Sequence, residues 1–446
     1  MGFINDIFSG IEKELLNKIP TSIEDVGKSS SDDFKPGDIH IESLTLMSED
    51  KQRKYDLLAQ CKGINIFESL TSPVIFAELE IADSMGLYQS FPIIGEEYVL
   101  IKFKTPSSKT SSKYLLRVNK IINKEVKQNN MMMTYTLQLL SVELIRNSTR
   151  LMTLSYKDTI DNLIKQITND GLGTEKPIKV SKTSGIEEGI ITKLRPLEAI
   201  DFLRRRAVSN EYPSSSFVFY ESRDGFVFTT VEELIEKGSK SLEGYSDKEF
   251  FFDTNRNINL KDVSFRNILA YNQVSFADTI SKAQEGGIAN EVNTFDLVTG
   301  NVKNLKYKDD GSTSFKQLDK NGAPTNSTSF INKNSNTTSV KQLIPISSDM
   351  STTKRPEKVS LLTAFAQNIT QNIIRIHIYG DSEIQVGDVI KCMLPSAVVG
   401  ESSNKLSRLE SGNYLVAKVR HIILNSDRPQ HTIALELIKG NYNEVG

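Results

Sequence analysis

Along much of this chain hydrophobic and polar residues alternate with the two-residue period of a half-buried strand. Over residues 74–81, Ile75, Ala77, Leu79 and Ile81 fall on one face, and Phe76, Glu78 and Glu80 on the other. Asp83-Ser84-Met85-Gly86 reads as a turn, and Gly95-Glu96-Glu97 leads into a strand over 98–103. Further strands are predicted over 114–122 and 134–145. Short strands with turn signals between them predict a barrel or sandwich beginning near residue 38.

The period changes elsewhere. In residues 1–20, Ile4, Ile7, Phe8, Ile11 and Leu15 recur at helical spacing and predict an amphipathic helix ending before Pro20. It could pack on its own domain, dock on a partner or lie on a membrane surface. Polar residues 21–37 read as a linker. Residues 150–255 predict an α+β unit. Asp158 is positioned to cap a helix carrying Ile160, Leu163, Ile164 and Ile167. Pro196 opens a second helix with Leu197, Ile200, Leu203 and Ala207 on it. A hairpin turns at Arg223-Asp224-Gly225, and a short helix over 231–237 is stopped by Gly238. Strands return from 256. Residues 286–354 are sparse in aliphatics, and 11 of the 14 residues from 326 to 339 are Asn, Ser or Thr, which predicts an irregular, extended insertion. A helix over 356–370 precedes a last β-rich segment.

That last segment echoes the first. Ile384-Gln-Val-Gly387-Asp388-Val389-Ile390 matches Ile93-Ile-Gly95-Glu96-Glu97-Tyr98-Val99. The run 414–423 matches 114–122 with one extra residue, which suggests a β-bulge. Leu435-Glu-Leu-Ile438 matches Val142-Glu-Leu-Ile145. Two copies at long spacing imply a duplicated domain. The expected architecture is mainly β. It comprises a helix and linker (1–37), a first barrel (38–149), an α+β middle (150–255), an insertion (286–354) and a second barrel (256–285 with 355–446).

Composition and charge narrow the function. The 446 residues carry a net charge of −2, so a general phosphate grip is not indicated. Cys61 and Cys392, far apart, make neither a disulfide framework nor a cysteine zinc site, and read as two reduced thiols. No apolar run approaches a membrane span, and Asp6, Glu12 and Glu14 interrupt the start, unlike a secretory signal. Asp6 also breaks the myristoylation pattern.

Candidate chemistry is thin. Gly171-Leu172-Gly173 is a cap or turn rather than a phosphate loop, and neither His-Glu-x-x-His nor Gly-x-Ser-x-Gly occurs. Of His40, His377, His421 and His431, three lie in the last segment, where a barrel could gather a zinc set, although His377 alternates against Ile376 and Ile378 and so faces away. Glu78 and Glu80 share a strand face; they are either a hydrolytic carboxylate pair or solvated charges that discourage edge pairing. Arg204-Arg205-Arg206 reads as a solvated helix face or ion-pair site before a nucleic-acid contact. No catalytic, cofactor or metal residues are assigned.

Residues 67–83 and 91–103 resemble the first tube domain of baseplate hub proteins in contractile-tailed phages. The segments 376–381, 386–390 and 414–438 resemble their second tube domain. The resemblance covers roughly 38–446. It implies two tube-type β-barrels per chain, a homotrimer and no enzymatic activity or cofactor. Three chains would then present six barrels to a hexameric tail tube or tube initiator on one face. They would present a threefold ring to a trimeric spike on the other. Other baseplate (wedge) proteins and the tape measure protein are further expected neighbours. DNA would pass through the lumen without sequence-specific binding, in a virion tail baseplate assembled in the host cytoplasm. The end of the sequence after the second barrel implies that the spike is a separate polypeptide. A hub component of a phage-like injection or secretion system, and a tail-associated hydrolase, are the alternatives.

Overall fold

In a computed structural model the chain divides into residues 1–35 and 36–446. The structure describes residues 35–106, 108, 110–127, 132–242, 248–252, 265–308, 315, 318, 322–324, 340–346, 355–396, 406–407 and 409–443. The expected N-terminal helix and the Asn/Ser/Thr-rich run 326–339 lie outside the described residues.

The described residues are mainly β. The strands are, in order, β1 (His40–Met47), β2 (Lys54–Asp56), β3 (Cys61–Ser69), β4 (Phe76–Asp83), β5 (Tyr98–Lys104), β6 (Ser112–Lys127) and β7 (Met132–Ser141). The middle contributes β8 (Met152–Asp158), β9 (Ile178–Val180), β10 (Glu187–Leu194), β11 (Phe217–Ser222), β12 (Gly225–Thr230) and β13 (Glu249–Phe251). Then come β14 (Ile268–Phe276), β15 (Ala289–Asp296), β16 (Val302–Lys308), β17 (Gly322–Pro324) and β18 (Val340–Ile346). The last are β19 (Asn372–Tyr379), β20 (Val389–Met393), β21 (Gly412–Leu424), β22 (Gln430–Lys439) and β23 (Asn441–Asn443). Thirteen of them form one sheet, whose main path runs β14-β19-β22-β21-β3-β4-β7-β6-β5-β1-β2.

The sheet encloses two apolar cores. One gathers Ile64, Ile66, Leu79, Val99, Phe103 and Leu137; the other gathers Ile374, Ile376, Ile390, Tyr414, Leu435 and Leu437. The predicted alternation on β4 holds, with Ala77, Leu79 and Ile81 buried.

The internal repeat is visible in strand register. Tyr98 pairs with Arg117 and Val389 with Leu415; Val118 pairs with Leu139 and Val416 with Leu437. Ala77 pairs with Leu139 as Ile374 pairs with Leu437, and Gly63 pairs with Glu80 as Ala270 pairs with His377. So β3, β4, β5, β6 and β7 correspond to β14, β19, β20, β21 and β22. The turn before β5 repeats as well. Gly95 and Gly387 both take left-handed backbone, at φ 98° and 89°, which glycine adopts without strain. In each copy the next residues bond back to the long strand: Val118 N–H donates to the Glu97 carbonyl, and Val416 N–H to the Asp388 carbonyl.

Several sequence expectations need correction. The chain leaves β7 at Ser141, and Val142–Thr149 is helical. Register therefore matches Leu435-Glu-Leu-Ile438 to Leu137-Gln-Leu-Leu140, not to Val142-Glu-Leu-Ile145. The bulge expected only in the later copy occurs in both, at Val118/Lys120 and at Val416/Lys418. The cap of helix Ile160–Gln166 is Thr159, while the Asp158 carboxylate accepts from Thr159 N–H and from the Asn162 amide. The described parts of 286–354 are not irregular: β16, β15 and β18 form a sheet, and β17 pairs with β23.

The middle helices otherwise start as predicted, with Pro196 first in Pro196–Arg204. Gly238 does not stop its helix, which runs Val231–Leu242. A Cβ at Gly238 would stand 2.3 Å from Val389 Cγ2 and 2.7 Å from Val389 Cβ, so this glycine lets the helix lie directly on β20. Gly→Ala inside a helix ordinarily stabilises by about 1 kcal/mol. Here Gly238→Ala is expected to destabilise by about 1–3 kcal/mol through overpacking, measured as a lowered urea midpoint.

Candidate functional site at the seam between the two modules

The two β modules are joined edge to edge. Strand β21 lies antiparallel to β3, from Lys418 opposite Ser69 to Leu424 opposite Gly63. The ladder is continued by Leu70 N–H to the carbonyl of the bulged Ala417, and by Asn425 N–H to the Lys62 carbonyl.

Side chains lock this seam on its inner face. Phe103 of the first module packs edge-on against His421 and His431 of the second, at 5.9 and 5.5 Å between ring centres. The two imidazoles are buried with Nδ1 of His421 3.1 Å from Nε2 of His431. Burial pushes the His421 pKa down to about 3 and that of His431 well below its usual value, so both are neutral at pH 7. Phe103 also stacks on Tyr114, whose hydroxyl donates to Glu68 Oε1 at 2.9 Å. Among the described residues Glu68 Oε2 has no donor at ordinary bonding distance, and burial raises this carboxyl to about 7. On the outer face the Arg420 guanidinium donates to Asn65 Oδ1 at 2.9 and 3.1 Å and lies over Phe67.

The middle of the chain clamps the seam with the β11–β12 hairpin. At its tip, Arg223 donates to Ser112 Oγ in the first module at 3.0 Å, and Asp224 accepts from Gln385 in the second, also at 3.0 Å. Thr105 and Ser382, one from each module, bond at 2.8 Å beneath it. One pair back from the turn, Glu221 accepts from Ile75 N–H at 3.0 Å and from the Ser141 hydroxyl. Lys176 bridges Glu221 and Glu143 at 2.5 and 2.8 Å. Burial opposes ionisation of both acids. The Lys176 ammonium outweighs it at Glu143, held below the usual carboxylate range, but not at Glu221, held above it.

The residues singled out in the sequence fall as follows. His421 and His431 come together; His377 is half-buried on the opposite face, and His40 is exposed. Among the described residues no three His, Cys, Asp or Glu side chains converge as a metal site. Cys61 and Cys392 are buried free thiols, each pushed up to about 12 by burial. Glu78 and Glu80 lie on the outward face of β4, Glu78 accepting from Gln138, and both act electrostatically on Arg420. The three arginines are used locally: Arg204 and Arg205 with Asp201 at 2.5 and 2.7 Å, and Arg206 over Phe202. Carbonyls of Gly171 and Gly173 accept from Arg150 and Arg146, so this turn presents acceptors where a phosphate loop presents donors.

The acids that organise the seam were missed, although a signal was present. Glu68 follows Ile64 and Ile66 at core-facing positions of β3, and Glu221 follows Phe217 and Phe219 on β11; all six are buried. A carboxylate where the alternation demands an apolar residue marks a buried, paired charge.

No protein-family description matches the chain. Over 200 residues, 41% of its length, it is 25% identical to the probable baseplate hub protein gp334 of Vibrio phage KVP40, a match spanning 45% of that relative. Its fold is that of a tail protein from Neisseria meningitidis MC58 (TM-score 0.54, 8% identity, 89% of this chain and 96% of that one). The prophage MuSo2 43 kDa tail protein of Shewanella oneidensis is similar too (TM-score 0.51, 9% identity, 89% and 98% covered).

Two outcomes test the seam. Replacing Lys176 by Met leaves two buried acids without their cation and is expected to lower stability by about 3 kcal/mol, with Glu221→Gln in the same chain recovering part of the loss in urea titrations. Glu68 binds its proton more tightly folded than unfolded, so it favours folding least above pH 7 and most below the ordinary Glu pKa. The stability of Glu68→Gln relative to the unaltered chain is therefore expected to rise between about pH 4.5 and pH 7 by on the order of 3 kcal/mol, and then level off. A flat difference across that range contradicts the burial assigned to Glu68. In part of its sequence this chain is similar to a probable phage baseplate hub protein, and in its fold to tail proteins, one of them from a prophage.

Proposed function

We propose that this chain is a structural subunit of a phage baseplate hub, located in the virion tail. Three copies close into a ring that seats a hexameric tail tube on one face and a trimeric central spike on the other. The observation that carries this reading is the duplicated register, in which five strands of one module repeat as five of the other and the two modules share a sheet. A chain with two like modules converts threefold into approximate sixfold symmetry, which a junction between a trimer and a hexamer requires. The relationship to a baseplate hub protein supports the same reading. In this role the protein works through permanent interfaces and a central channel, with no chemical step.

Sedimentation of the purified chain, alone and mixed with its spike, tests this together with electron-microscopic class averages. A threefold ring with a central hole is the expected result. A species that remains monomeric at high concentration in both preparations overturns it.

A further inference from the structure

The β3–β21 seam has a counterpart that the single chain leaves unmade. Strand β6 corresponds to β21 and β14 to β3. The first half of β21 pairs with β20 and its second half, Lys418–Leu424, with β3. The first half of β6 likewise pairs with β5, up to Arg117 opposite Tyr98, but its second half pairs only with β7 among the described residues. Strand β3 lies between β4 and β21, whereas among the described residues β14 pairs only with β19. Each open edge is therefore the equivalent of an edge that is filled at the seam.

The side chains agree. Core-facing Ile64 and Ile66 of β3 are fully buried, but their counterparts Tyr271 and Gln273 of β14 are half-exposed. Val274 and Phe276 of β14 are 42% and 36% exposed, and Val126 of β6 is 63% exposed. Residues 268–276 hold no charged residue and no proline, the usual protections of a free edge. A nine-residue edge with this composition is built to be covered.

We propose that the second half of β6 in one copy pairs antiparallel with β14 of the next, repeating the β21–β3 seam between protomers. The occupant is a second copy of this chain, because its own sheet already contains the matching strand pair. Carrying the seam's register across, with allowance for the second β6 bulge between Ile122 and Glu125, sets Val126 opposite Tyr271 and Glu125 opposite Asn272. The contact is head-to-tail, so it generates a closed ring when the rotation between modules closes. This rests on the ring reading above and names the surface that makes it.

The test uses the full chain with two cysteine pairs, Glu125→Cys/Asn272→Cys and Val126→Cys/Tyr271→Cys. Directly opposed antiparallel pairs alternate between Cα spacings of about 5.5 and about 4.5 Å, both within disulfide reach but differing in Cβ direction, so at least one of the two is expected to close. Oxidation is expected to give reducible dimers and trimers with that pair and none with the single variants. The exposed changes Val274→Lys and Phe276→Lys together are expected to weaken self-association at least tenfold while leaving the circular dichroism spectrum and melting temperature unchanged. Hydrogen exchange supplies a readout without substitution: the alternate amides of 270–276 that point away from β19 become protected as the ring forms. A ring that forms with neither pair crosslinking and with β14 amides exchanging as in the monomer overturns this pairing but leaves the ring. A chain that never associates overturns both.

Discussion

The antiparallel pairing of β3 with β21 is the contact on which the rest of the architecture rests. It converts two separate cores into one sheet, and it brings Phe103 against the two histidines, Arg420 against Asn65, and the β11–β12 hairpin onto both modules. Backbone ladders fix orientation and register together, whereas a packed apolar face tolerates small slides. For a subunit that must hold two modules at one angle, a hydrogen-bonded edge is the stiffer solution.

The polar groups around the seam supply specificity at some expense of stability. Two neutral histidines, Glu68 with a single strong hydrogen bond, and Glu143 and Glu221 sharing one lysine would each be replaced by apolar side chains if stability alone mattered. Their directional bonds tie the seam to one arrangement. The histidines act in the opposite sense to Glu68 with pH: unfolded imidazoles protonate below about pH 6.5 while the buried pair resists, so their stabilising effect is lost on acidification.

Local physics made part of this fold legible from the chain. The alternation on β4, the strand that follows Gly95-Glu96-Glu97, and the proline opening the helix at 196 all depend on near neighbours, and the structure has each of them. What failed depended on distant partners. Gly238 reads as a stop signal until Val389, some 150 positions away, is found pressed against it. The strand predicted over 134–145 runs past Ser141 into a helix, and Val142-Glu-Leu-Ile145 echoes Leu435-Glu-Leu-Ile438 by a coincidence that only pairing with β6 exposes. The seam itself was invisible, since no local pattern says which edge meets which.

The seam also sets an order of events during synthesis. Asn65 and Arg420 are 355 positions apart, so the edge of β3 waits for nearly the whole polypeptide before it is covered. Such remote closures are slow and leave strand edges open to wrong partners meanwhile. On the ribosome, the early strands can collapse around their own core while β21 is still being made. The nascent module thus carries an uncapped edge through most of translation, and a neighbouring nascent chain of the same kind is the most complementary hazard it can meet.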